Sequence, residues 1–393
     1  MSLVLEKTKQ TIRIRCQNVN LFPELINFDD PFFSTQLITY IGNKRSLLPF
    51  INKGIEEVKK RLGKNKLVIL DGFAGSGATA RLLKHHASQL WVNDLEDYCE
   101  IINKCYLSNR SEIDLDYINS TINWLNKNKL NGIKDPGFIE QNYAPRNNNK
   151  IQENERVFYT NKNAKIIDNL KRIIKTKIRK DMQHFFLAPL IVKASIHTNT
   201  SGVFKGFHKK DGVGHFGGRG ENALQRILAE IDLEPPLFSM TECPVITKKE
   251  DINKLVCSEG IPMFDLAYFD PPYNQHPYGS NYFMLNIIAN GIEGMPIQDG
   301  VSGIAKDWNR SEYNKRQHAE MAMDDLIKHT PAKYILISYN DEGIIPIKNF
   351  KKILGKYGPF ELMEQEYNTY RGSRNLDGRN IKVKELLWIL EKN

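Results

Sequence analysis

The run Leu266-Ala267-Tyr268-Phe269-Asp270-Pro271-Pro272-Tyr273-Asn274 restricts the fold of this chain more than any other stretch. Leu266 to Phe269 is short, apolar and aromatic, the composition of a buried strand in an α/β sheet. Two prolines then stop the chain, because neither can donate a ladder hydrogen bond and both hold φ near that of an extended turn. Asp270 and Tyr273 are thereby presented rigidly at a strand's carboxyl end, where open α/β sheets bind ligands. A carboxylate, a free backbone carbonyl and an aromatic face this close together can accept hydrogens from an exocyclic amine while its ring stacks on the tyrosine.

A second constraint lies upstream. Leu67-Val68-Ile69-Leu70 reads as a short buried strand, followed at once by Asp71-Gly72-Phe73-Ala74-Gly75-Ser76-Gly77. A strand feeding a glycine-rich turn and then a helix is the nucleotide-binding half of a Rossmann-type fold, since glycine permits close approach to a ligand. The turn lacks the Gly-Lys-Ser/Thr of a P-loop and the Gly-x-Gly-x-x-Gly of a dinucleotide site. The next strand, Gln89 to Asn93, ends in Asp94, about 20 residues beyond the turn, where this fold hydrogen-bonds a ribose diol. Glu96 and Asp97 read as first-turn charges favoured by the helix dipole. Before the first strand, Tyr40-Ile41-Gly42-Asn43-Lys44 leads into an amphipathic helix, with a glycine that lets backbone approach a ligand and a lysine able to meet a carboxylate.

In this order the motifs resemble those of the Dam-like N6-adenine-specific DNA methyltransferases. Asp270, Pro271, Pro272 and Tyr273 are similar to the catalytic signature of that family, and Asp71, Phe73, Gly75, Ser76 and Gly77 to its first motif, which holds the methionine moiety of the cofactor. Tyr40, Gly42 and Lys44 match its N-terminal cofactor motif. The resemblance implies an α/β, Rossmann-like sheet dependent on S-adenosyl-L-methionine, closed by a C-terminal antiparallel hairpin near Tyr367 to Tyr370 and Lys384 to Leu390, and carrying an inserted target-recognition region. It implies Asp94 at the ribose and Asp251 near the cofactor's adenine, Asp251 reading equally as a capping or surface acid. Double-stranded DNA is the implied partner, with a cognate restriction endonuclease where the protein is one half of a restriction–modification pair. N4-cytosine enzymes share this geometry but more often place serine where Asp270 stands; RNA amino-methyltransferases share the tetrad. A non-catalytic DNA-binding module would be expected to show a damaged tetrad or glycine turn, and both are intact.

The expected organisation is an N-terminal extension over 1–35, a catalytic domain over 36–98 and 243–393, and an insertion over 99–242. Within 1–35, Asp29-Asp30-Pro31-Phe32-Phe33 reads as a loop laid on a surface. Within the insertion, Asn126 to Lys150 is rich in Asn and Lys, as in solvated, mobile backbone, and a basic helix follows with Ile166, Ile167, Leu170, Ile173 and Ile174 on its apolar side. From Asn199 to Gly220 glycine, cations and aromatics interleave, so that Lys205, Lys209, Lys210 and Arg219 are expected on a hairpin or loop entering a DNA groove. Arg371 and Arg374 sit in a basic turn suited to phosphate. Lys+Arg 55 against Asp+Glu 46 leaves a net charge of +9, which favours a polyanionic partner. The five cysteines form no Cys-x-x-Cys pair, so neither a disulfide framework nor a metal site is expected. Cys243 precedes Pro244, the reverse of the order in carbon-5 cytosine methyltransferases, and that class is disfavoured. No apolar run reaches the roughly 20 residues of a membrane span, and the N-terminus lacks a signal-peptide pattern; a cytoplasmic protein is expected.

Overall fold

Short aliphatic runs bounded by Gly, Pro, Asn and Asp set the strands, which in chain order are β1 (Leu67–Asp71), β2 (Ala87–Asp94), β3 (Lys209–Lys210), β4 (Val213–Gly214), β5 (Val245–Lys249), β6 (Phe264–Phe269), β7 (Ala332–Asn340), β8 (Phe360–Asn368) and β9 (Lys382–Glu391). This computed structural model describes residues 26–221, 223–290, 296–304, 306, 308–368 and 382–393. A seven-stranded sheet runs in the order β5-β2-β1-β6-β7-β9-β8. Its first five strands are parallel, and β9 runs antiparallel between β7 and β8. The chain therefore moves outward from β1 in one direction and returns to β6 on the other side, which opens a crevice at the carboxyl ends of these two strands.

Both faces of the sheet are covered, as a mostly parallel sheet requires. Ile69, Leu266, Tyr268, Leu336, Leu387 and Ile389 belong to one core, shared with the helix Leu48–Leu62. Gly54 in that helix is needed for contact: a Cβ there would stand 2.7 Å from Leu387 Cδ2. Ala267, Phe269, Ile337 and Trp388 face the opposite core, with the helices Ala319–His329 and Ile347–Leu354. β6 is buried at every position, in keeping with a central strand.

The N-terminal segment does not lie loosely on the surface. Pro31–Ser34 is a short helix capped by Asp30, with Phe32 and Phe33 buried, and the buried Arg81 guanidinium donates to the carbonyls of Phe32 and Thr35. Two adjacent aromatics in a short segment had nowhere else to hide.

Residues 99–242 take helices as their main regular elements, and their core includes Ile118, Ile122, Leu125, Leu170, Ile174 and Phe186. The same core takes in Leu37, Ile38 and Tyr98 before the insertion and Tyr282 to Leu285 and Ile287 to Ala289 after the tetrad, so packing crosses both expected boundaries. The Asn- and Lys-rich stretch is more ordered than its composition suggests. It contains the helices Leu115–Asn128 and Phe138–Tyr143, and the Asp168 carboxylate caps the second through the amides of Ile139 and Glu140. The basic helix Asn161–Lys177 buries its isoleucine stripe as expected. Lys171 and Lys175 donate to the carbonyls of Ile287 and Asn290, at the carboxyl end of the helix Phe283–Asn290, where cations are favoured. Among the described residues no helix is long and apolar enough to cross a membrane.

Candidate active site

A cavity of about 860 Å³, open to solvent, occupies the crevice between β1 and β6. The glycine turn after β1 forms its floor. Gly72 N donates to Tyr268 O (3.0 Å) and Ala74 N to Asn93 O (2.9 Å), so the turn is stitched to the strands on either side. Gly75 and Gly77 adopt φ of 52° and 78°, which side-chain-bearing residues rarely do, and a Cβ on Gly75 would stand 2.9 Å from the Tyr40 ring. Asp94 at the end of β2 holds the turn from the side: Oδ2 accepts from Gly75 N (2.7 Å) and Oδ1 from Glu96 N (3.0 Å).

Asp71 is fully buried, and neither carboxylate oxygen has a hydrogen-bond partner. Burial raises its pKa well above the ordinary carboxylate range, only partly offset by the nearby Phe73 amide, and the charges of Asp270 and Asp94 add to the rise. A buried acceptor left unpaired is costly. Neither Asp71 nor Gly77 is among the residues that line the cavity; both lie beside its wall.

The segment from Tyr40 to Lys44 crosses the cavity as a strap. Tyr40 stacks on Tyr278 (4.8 Å, 18°) and Tyr282 (4.9 Å, 22°). The Tyr278 hydroxyl donates to Ile41 O (2.9 Å), and Ile41 N donates to the Tyr282 hydroxyl (2.7 Å). Gly42, at φ 76°, turns the strap inward; a Cβ there would stand 3.0 Å from the Tyr273 hydroxyl. Lys44 then enters the site almost fully buried, its Nζ 3.2 Å from Asp270 Oδ1 and 2.9 Å from Glu385 Oε1. Both contacts are ion pairs outside aligned hydrogen-bond geometry. Burial pulls the lysine's pKa down, but Asp270 and Glu385 outweigh it and hold the ammonium well above its usual range. Burial also pushes Asp270 up to about 7, with Lys44 opposing and Glu385 adding to the rise.

Asp270 and Pro272 line the cavity; Pro271 and Tyr273 are not among its walls. The Tyr273 ring is half-buried, edge-on to Tyr339 (6.3 Å, 79°), with Lys44 Nζ 5.4 Å from its centroid. Its carbonyl accepts from Ile344 N (3.0 Å), and Asn314 Nδ2 donates to Asn274 O (2.8 Å), so the tetrad's backbone is tied down beyond the prolines.

The structure thus brings Tyr40, Gly42, Lys44, Phe73, Gly75, Ser76, Asp94, Asp251 and Asp270 to one cavity. Asp251 also caps the short helix Ile252–Leu255 through Oδ1, accepting from the amides of Asn253 and Lys254. The basic glycine-rich stretch contains the hairpin of β3 and β4, turned by Asp211-Gly212 with φ of 50° and 88°, the signature of a two-residue hairpin turn. The buried Asn199 secures its base, donating to the carbonyls of Val157 and His215 and accepting from Gly217 N. Lys205, Lys209 and Lys210 are exposed there, whereas the exposed Arg219 pairs with Asp211 at 3.0 Å. Arg371 and Arg374 lie outside the described residues.

Two carboxylates of the site were not expected from the sequence. Glu96 is buried rather than a solvated first-turn charge: it lines the cavity, and its Oε2 accepts from Asn286 Nδ2 (2.5 Å) and Asn309 Nδ2 (3.1 Å). Burial pushes its pKa up to about 8. Glu385, on β9, is fully buried beside Lys44. Its position does carry a signal, because it falls on the same alternating face as Val383, Leu387 and Ile389, where an ionisable group has no structural reason to be.

Known proteins resemble this chain over most of its length. Residues 40–353 match the family described as D12 class N6 adenine-specific DNA methyltransferase. The chain is 28% identical to the Type II methyltransferase M.NlaIII of Neisseria lactamica, over 90% of this chain and 99% of that protein. It is 29% identical to the Type II methyltransferase M.CviAII of Paramecium bursaria Chlorella virus 1, over 88% and 96% respectively. The modification methylase StsI of Streptococcus sanguinis is 28% identical over 90% of this chain, which spans 52% of that longer protein.

Proposed function

Because the chain belongs to the D12 class N6 adenine-specific DNA methyltransferases, we propose that the crevice between β1 and β6 is where it methylates adenine in double-stranded DNA, and that Asp270 accepts the reacting amine. S-adenosyl-L-methionine is the cofactor, and when bound it supplies an activated methyl group that needs no metal and no covalent enzyme intermediate. The cavity's donors and acceptors fit such a group. Among the lining residues Asp94 and Glu96 suit a diol and Asp251 suits an exocyclic amine; Asp71, fully buried beside the glycine turn with both oxygens unpaired, suits an ammonium that reaches past the wall.

On this reading adenine rotates out of the duplex, at a cost of a few kcal/mol of unstacking recovered by pocket contacts. Tyr273 stacks on the extruded base. The Asp270 carboxylate and the Pro271 carbonyl accept the two amine hydrogens, which directs the nitrogen lone pair toward the cavity. That amine is a poor nucleophile because its lone pair is delocalised into the ring, so the gain comes from orientation and placed acceptors. The nitrogen becomes cationic on transfer and sheds a proton; Asp270, with a pKa pushed up to about 7, is a suitable first acceptor. The exposed lysines of the β3–β4 hairpin are assigned to DNA contact. The names of the relatives, Type II methyltransferase and modification methylase, support a place as the modification partner of a restriction endonuclease.

The observation that carries the assignment is that Asp270, from β6, forms part of the wall of the cavity whose floor is the β1 glycine turn. The test is Asp270→Ala, assayed by mass analysis of nucleosides after transfer of labelled methyl. Loss of N6-methyladenine with cofactor-induced thermal stabilisation retained is expected; an active variant, or N4-methylcytosine as the wild-type product, overturns the reading.

A further inference from the structure

Glu385 stands where a sheet core normally takes an aliphatic side chain, with Val383, Leu387 and Ile389 on the same face of β9, all buried. A carboxylate there is retained only if something needs it. Its Oε1 meets two groups at once: the Lys44 ammonium at 2.9 Å and the hydroxyl of Ser338, which donates to it from β7. Its Oε2 has no partner. Lys44 therefore sits between two carboxylates, closer to Glu385 than to Asp270, and is locked to neither by an aligned hydrogen bond. One ammonium facing two acids leaves a surplus negative charge once Asp270 is ionised.

We propose that Glu385, braced by Ser338, is a positioning residue for methyl transfer: it shares the Lys44 ammonium and so keeps Asp270 from closing into a one-to-one ion pair, leaving the Asp270 carboxylate open to the adenine amine. This rests on the assignment of Asp270 as the amine acceptor. The other ionisable groups around the three are Tyr268, Tyr273 and Tyr278, and Asp270 in turn raises the pKa of Asp71 at the end of β1. Burial raises all three phenols, so they stay neutral through the neutral range. Glu385 and Lys44 are then the charges that oppose each other at Asp270, Glu385 raising and Lys44 lowering its affinity for a proton.

The test is Glu385→Gln in the full chain, beside Asp270→Ala. In the wild type, single-turnover methylation should rise with pH through about 7, as Asp270 ionises. In Glu385→Gln the lysine serves Asp270 alone. The acid limb should move down by about one pH unit, and the plateau rate should fall about tenfold with KM for DNA unchanged. A cofactor-free readout accompanies this. A carboxyl raised from 3.8 to about 7 on folding contributes stability that is present below 3.8 and lost as pH rises toward 7. That loss should be smaller in Glu385→Gln, read as a flatter plot of melting temperature against pH. Should the glutamine variant not fold, Glu385→Asp, which keeps the charge on a shorter arm, should show the same displacement at reduced size. A rate loss with the acid limb unmoved assigns Glu385 to packing alone and overturns the proposal, as does a wild-type profile in either variant. Activity in Asp270→Ala would instead bring down the assignment beneath it.

Discussion

Replacing Asp71 with asparagine should raise the melting temperature of the unliganded protein and lower that of the cofactor-loaded one. Asp71 is fully buried with both oxygens unpaired, and burial lifts its pKa well above the ordinary 3.8. Folding therefore either strands a charge or takes up a proton, and asparagine does neither. Its amide remains unpaired, so the gain is the charge-related part of the penalty only, about 1–2 kcal/mol. At an unfolding entropy of about 2.1 cal/mol/K per residue, a chain of 393 residues converts this to about 1–2.5 °C. The direction with pH follows from the raised pKa: the wild type loses stability as pH rises above 3.8, so the asparagine advantage should be absent near pH 4 and grow toward neutrality. Cofactor at about 100 times its Kd should add about 2.7 kcal/mol to the wild type, or about 3 °C, and little to the variant. Differential scanning calorimetry with and without S-adenosylhomocysteine reads both effects. A variant that melts below the wild type without ligand, or gains the same ligand shift, would refute the role of Asp71 as the acceptor of an ammonium.

Glu96 offers a second pH test. Its folded pKa of about 8 against an ordinary 4.5 means the wild type loses stability as pH rises from 4.5 to 8, while both amide donors use Oε2, which a glutamine carbonyl can replace. Glu96→Gln should thus match the wild type near pH 4 and melt higher near pH 8; equal melting curves across that window would remove the case for a buried acid. Lys209→Ala and Lys210→Ala should each weaken DNA binding and reduce the slope of log K against log salt by about 1, measured by fluorescence anisotropy; unchanged slopes would take the β3–β4 hairpin away from the phosphates.

Much of the catalytic half was readable from local signals. The strands around the crevice and the last strand, β9, lie where aliphatic runs and turn residues put them, because central strands are short, apolar and punctuated, whereas β8, expected near Tyr367 to Tyr370, starts upstream at Phe360, its run Phe360-Glu361-Leu362-Met363-Glu364 being too polar to stand out. What stayed hidden depended on partners distant in sequence. Glu96 looks like a solvated first-turn charge until Asn286 and Asn309 close over it. Lys171 and Lys175 resemble a phosphate-binding face until the helix Phe283–Asn290 presents its carbonyls to them. The Asn-rich stretch looks unstructured because its cap, Asp168, lies in a later helix. Glu385 was the exception, visible as a charge on an apolar alternation, yet its meaning needed Lys44 beside it.

The two phenol hydroxyls that fasten residue 41 join the N-terminal cofactor-motif segment to the helices that follow the tetrad, 237 and 241 residues away in sequence. Tyr278 and Tyr282 follow the tetrad, and Tyr278 shares the wall of one cavity with Tyr40 and Lys44. A guest that tightens one segment must restrain the other. By linkage, each ligand then alters the affinity of its counterpart by an identical factor, whichever arrives first. Cooperative binding of cofactor and DNA is therefore the expected consequence of the tyrosine tether.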